Sequence, residues 1–104
     1  MPEVNNDVFL NFYFMENEKE LYKTLMTEIV QKQTVILGPQ IAVLKARNVS
    51  LIEVSDDGKV MNIKGDPKGA LQALIDEYVK LSGQIVKNAL GSIFIKYPQV
   101  QGIE

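Results

Sequence analysis

The chain has 104 residues, 46% of them apolar, with 11 basic and 13 acidic side chains and a net charge of −2, the make-up of one small globular domain. Histidine, cysteine and tryptophan are absent, which excludes disulfide staples, the usual zinc sites and the Ser-His-Asp and Cys-His nucleophile arrangements. A charge so near balance supplies no attraction toward nucleic acid or anionic lipid.

The opening Met1–Asp7 is acidic where an export signal is basic, and no uncharged stretch approaches the roughly 20 residues that cross a bilayer. A cytoplasmic location is therefore expected, with residues 1–6 and 99–104 flexible. Residues 8–15, Val-Phe-Leu-Asn-Phe-Tyr-Phe-Met, are almost continuously apolar. Two readings fit them: a short strand at 8–14 or an N-terminal extension of the first helix. Half of the chain's aromatic residues fall here, as Phe9, Phe12, Tyr13 and Phe14. Aromatic side chains are favoured at interfaces, so these four are candidate contact residues, with core filling as the plainer alternative.

Asn17 and Glu20 have capping-box spacing and mark a helix start. Leu21, Leu25, Ile29 and Val30 give its buried stripe, which runs to about Ile36. Gly38-Pro39 then stops or kinks the helix, and a shorter one follows over 40–47. This break, in an uncharged stretch, is the second candidate contact point. Its readings are a hinge, a close backbone crossing, or an ordinary helix terminus.

Residues 51–56 and 59–64 read as a β-hairpin around Asp57-Gly58. Pairing Asp56 with Lys59 across a two-residue type I′ turn puts Ile52, Val54, Met61 and Ile63 on one face. Pairing Ser55 with Lys59 across three residues mixes both faces. The first register is therefore expected, with Val60 its one outlier.

Asp66 followed by Pro67 is an N-cap and first-turn proline. Leu71, Leu74, Ile75, Tyr78 and Leu81 form a helical stripe, with Asp76 and Lys80 spaced to pair. The stripe continues through Ile85, Val86, Ala89, Leu90 and Ile93, with Gly83 as a bend or break and Pro98 as the stop. The two halves share a plan of helix, glycine break and helix, which leaves open an ancient duplication or two unrelated helical pairs.

Chemistry-bearing constellations are few. Asp56-Asp57 and Asp76-Glu77 are the adjacent carboxylates, in a turn and on a polar helix side, where solvated charge is the ordinary explanation. Asp56-Asp57-Gly58 lacks the alternate ligands of a calcium loop. Gly65-Asp66-Pro67-Lys68-Gly69 lacks phosphate-loop spacing. No cofactor, metal or catalytic residue is expected.

The sequence thus predicts a single α+β domain, 1–104, of helix-helix, hairpin, helix-helix order. Its expected role is non-catalytic: a protein-interaction or regulatory module, homodimeric or bound to a protein partner, with Phe9, Phe12, Tyr13, Phe14, Gly38 and Pro39 at the contact. The alternative is a small apolar-ligand sensor whose ligand is oriented by Tyr13, Tyr22, Tyr78 or Lys45.

Overall fold

A computed structural model of the chain describes the backbone of residues 3–98 and 100, and the side chains of 17–81, 83, 90–98 and 100. The elements run α1 (Glu3–Leu37), α2 (Pro39–Arg47), β1 (Ile52–Val54), β2 (Val60–Ile63), α3 (Pro67–Ser82) and α4 (Gln84–Lys96). This is the α+β order of helices around one hairpin that the sequence predicts.

Of the two readings of 8–14, the helix is the one adopted. α1 is continuous for 35 residues, so no strand forms there. Asn17 and Glu20 accordingly lie inside a helix, not at its start, and the expected capping box is not made. An N-cap works only where no preceding turn supplies carbonyls, which leaves the N–H groups of the first helical turn free. Here the helix already extends past that point toward its N-terminus.

α1 buries Tyr22, Leu25, Met26, Ile29 and Val30, facing Leu71, Leu74, Ile75 and Tyr78 of α3 and Leu90 and Ile93 of α4 in one apolar core. Val100 also packs there; the rest of the expected flexible tail lies outside the described residues. Asp66 caps α3 as predicted, its carboxylate accepting from the Gly69 N–H at 3.0 Å. Gly83, at φ +54, separates α3 from α4. The expected Asp76–Lys80 pair does not form: Lys80 binds Glu77 at 2.9 Å, and Asp76 accepts from Gln72.

The hairpin corrects the expected register. Its strands pair Ile52 with Ile63 and Glu53 with Asn62, then Val54 with Val60, so Met61 is an extra residue on β2. Toward the turn, the Ser55 N–H donates to the Lys59 carbonyl and the Gly58 N–H to the Ser55 carbonyl. The loop is thus the three-residue Asp56-Asp57-Gly58. A type I′ turn needs positive φ at both central residues, and Gly58 alone has it, at φ +87. The physical reason lies in the pleat. Val60 and Ile63 are an odd number of residues apart and would face opposite ways in a regular strand. Both are nonetheless buried, at 2% and 1% exposure, while Met61 is 51% exposed. A bulge at Met61 reconciles them by inserting one residue into the ladder.

Both outer edges of the hairpin are held by side chains. Thr27 of α1 donates to its own helix at the Lys23 carbonyl and accepts the Val60 N–H at 3.0 Å. On the other edge Arg47, the sole arginine, donates from Nε and Nη2 to the Val54 carbonyl, at 3.1 and 2.9 Å, and from Nη2 to Asp56 at 2.7 Å. α2 therefore folds back from Gly38 toward the hairpin tip, where Gly58 lies against Val30 and Gln31 of α1.

Candidate functional site

Gly38 joins α1 to α2 in a backbone conformation, φ +89 and ψ 153, that favours glycine. A Cβ there would meet nothing within 4 Å. The glycine thus serves the turn of the chain, and the close-crossing reading drops away. Pro39 begins α2 where its missing N–H costs nothing. The Ala42 N–H reaches back to the Gly38 carbonyl at 3.0 Å.

Four of the seven large apolar residues exposed among the described residues belong to this knee. Val35 is 85% exposed, Leu44 61%, Ile41 47% and Ile36 44%, and Pro39 is exposed beside them. No charged residue occurs from Gln33 to Leu44. The outward side chains belong to helices whose other faces are anchored. Ala42, Val43 and Ala46 bury one side of α2, and the Tyr78 hydroxyl donates to the Ala42 carbonyl at 2.7 Å. Burial pushes the Tyr78 hydroxyl's pKa well above its usual value. At the far end Asn48 donates to Glu77; hydrogen bonds from Lys80 and Asn48 hold the Glu77 carboxyl below the ordinary range.

Of the sequence-derived contact residues, Gly38 and Pro39 are in this patch. Phe9, Phe12, Tyr13 and Phe14 lie in the first half of α1, and their side chains fall outside the described residues. One chain therefore holds the two candidate groups at opposite ends of one helix. Val35, Ile36, Ile41 and Leu44 were not singled out by sequence as contact residues. The uncharged run was the available signal, but helical periodicity alone does not say which side of α2 meets the core.

Several other titratable groups make contacts within the fold. Asp56 is held by Arg47, and Asp57 accepts from Ser55, which lowers its pKa. Glu28 accepts from Lys96 at 2.6 Å and from the Tyr97 hydroxyl, tying α4 to α1. Those bonds lower the Glu28 pKa, and the Glu28 carboxylate pushes Tyr97 up to about 12. Among the described residues no group of three acidic side chains could hold a metal ion, and no helix is long and apolar enough to cross a membrane.

Three surface grooves accompany the knee. One, about 680 Å³, runs between α1 and the hairpin, with Glu20, Lys23, Thr27, Lys59, Val60 and Met61 among its lining residues. A second, about 360 Å³, lies between α1 and α4 beside Val35 and Ile93. A third, about 350 Å³, sits beside Pro39, Leu44 and Arg47. Tyr22 and Tyr78 are both buried in the core, and the Tyr78 hydroxyl is engaged by α2.

Compared with protein-family models, curated proteins and solved structures, the chain matches none.

Proposed function

We propose that this chain is a non-catalytic interaction module that makes contact through the knee between α1 and α2. The observation that carries the reading is the exposure of Val35, Ile36, Pro39, Ile41 and Leu44 within ten residues that include no charge. Apolar surface costs about 25 cal/mol per Å² to keep in water, and a contiguous exposed patch rimmed by polar residues is characteristic of contact sites. A cytoplasmic location and a protein partner belong to the same proposal. The sensor reading has less support, since Tyr22 and Tyr78 are buried in the core and the Tyr78 hydroxyl is committed to Ala42.

The test compares the wild-type chain with a Val35→Asp, Leu44→Asp double variant. Light scattering across a concentration series is expected to give wild-type masses above the 11.7 kDa of one chain, falling toward it in the variant. If the wild type stays monomeric, cross-linking in native lysate is expected to give adducts that the variant loses. Identical behaviour of the two chains in both measurements would refute the reading.

A further inference from the structure

α3 and α4 are joined through Gly83 alone. The hydrogen-bond ladder of α3 reaches that residue intact, because the Gly83 N–H donates to the Val79 carbonyl, four residues back, at 2.8 Å. What ends the helix is the backbone of this one residue, held at φ +54 and ψ −112, a conformation that glycine tolerates and other residues rarely adopt. Within 4 Å a Cβ here would meet only the Val79 carbonyl oxygen, at an ordinary 3.9 Å. The glycine therefore serves the turn and not a close packing contact.

The sequence keeps helical phase across this break. Leu71, Tyr78 and Ile85 are spaced by seven, or two helical turns, and Val86 and Ile93 continue beside them. Two helices that meet at a break have no need of a shared phase. No proline lies between Pro67 and Pro98. With Gly83 in helical φ and ψ, Pro67 to Lys96 becomes one helix with its apolar stripe along one side.

Straightening vacates a seat. In the structure α4 lies on α1 and α3, Leu90 and Ile93 are buried in the core, and Glu28 of α1 accepts hydrogen bonds from Lys96 and the Tyr97 hydroxyl. A straightened chain leaves that seat empty and its own Leu90 and Ile93 bare. A second straightened copy supplies the occupant for each, with the same contacts made between chains. We propose that Gly83 is a two-state hinge: bent, it closes α4 on its own chain; straight, it delivers α4 to the same seat on a second copy, which returns its own. The exchange is reciprocal and closes as a two-fold dimer. A one-residue connection suits it, since short hinges invite such exchange. The knee takes no part, so the exchange stands or falls separately from the contact reading above.

Cross-linking tests the exchange, because the chain has no native thiol. Lys32 on α1 and Ser92 on α4 are exposed and line one groove. Chains carrying Lys32→Cys and chains carrying Ser92→Cys are unfolded together in urea, refolded as a mixture and treated with a short bis-thiol reagent. The expected product is a covalent heterodimer on electrophoresis, whereas a chain carrying both cysteines links within itself at low concentration. Gly83→Ala favours the straight form about fivefold per hinge through helix propensity, and so raises the dimerisation constant measured by light scattering roughly 25-fold. The insertion Gly-Ser-Gly-Ser after Gly83 relaxes the connection and is expected to remove the heterodimer. A heterodimer formed equally well with all three connections is a surface contact and overturns the proposal, as does its absence from the Gly83→Ala mixture. If Gly83→Ala fails to regain wild-type helicity, the wild-type and lengthened connections decide, and equal yields from the two, zero included, overturn it.

Discussion

Gln33 lies fully buried in the apolar stripe of α1, and neither its amide nitrogen nor its amide oxygen has a hydrogen-bond partner. An unsatisfied buried polar group costs about 1–3 kcal/mol. Methionine has nearly the same length and volume as glutamine and an equal helix propensity, so Gln33→Met removes the polar atoms at little packing cost. The net expectation is a gain of about 1–2 kcal/mol. For a domain of this size that corresponds to a rise in Tm of roughly 5–15 °C. Urea unfolding followed by far-ultraviolet circular dichroism is the assay, with the midpoint expected to rise and the slope to stay constant. Protein concentration must be fixed, because self-association adds to apparent stability. A lower midpoint in Gln33→Met would refute the reasoning. It would mean that a water or another chain satisfies the amide in solution.

Two further outcomes follow from the hairpin and from α4. Gly58→Ala should destabilise by about 1–3 kcal/mol, since Gly58 sits at φ +87 and an added Cβ would come within 3.1 Å of both Val30 and Gln31; an unchanged urea midpoint would contradict this. The folded-state pKa of Glu28 lies below its ordinary 4.5, because Lys96 and Tyr97 hydrogen-bond its charged form. Its contribution is therefore present above pH 4.5 and lost as pH falls through the lowered value. Tyr97 has the opposite sign: its contribution is complete below pH 10 and disappears as pH rises through about 12. Glu28→Gln should flatten the acid limb of stability against pH, measured as urea midpoints, and an unaltered acid limb would count against the clasp.

Element order was legible because it rests on local chemistry. Asp66-Pro67 starts a helix, Gly38-Pro39 breaks one, and Asp56-Asp57-Gly58 turns a hairpin, each through its own backbone preferences. The register of that hairpin was not legible, because it depends on what the core demands. Val60 could be inward only through a bulge, and the parity argument treated Val60 as an exception where it is the buried residue and Met61 the exposed one. Asn17 and Glu20 show the same limit from the other side. Their spacing is right for a cap, but whether a helix begins there depends on whether residues 3–16 are already helical. The knee was half legible: Gly38 and Pro39 marked it, whereas the exposure of Ile41 and Leu44 follows from which side of α2 Ala42, Val43 and Ala46 turn inward. The role of Arg47 was not legible, because its partners, Val54 and Asp56, come from the hairpin.

Those Arg47 contacts bear on how copies of this chain can grow together. A two-stranded ribbon has two open sides, and each is a ready template for another chain's backbone. Here the guanidinium occupies the Val54 carbonyl and the Ile52 N–H turns to the Val49 carbonyl, while the Thr27 hydroxyl takes the Val60 N–H on the other side. Strand addition is obstructed at both margins. What stays open to contact is helical surface, where side-chain fit limits the number of copies, unlike a ladder that extends without limit.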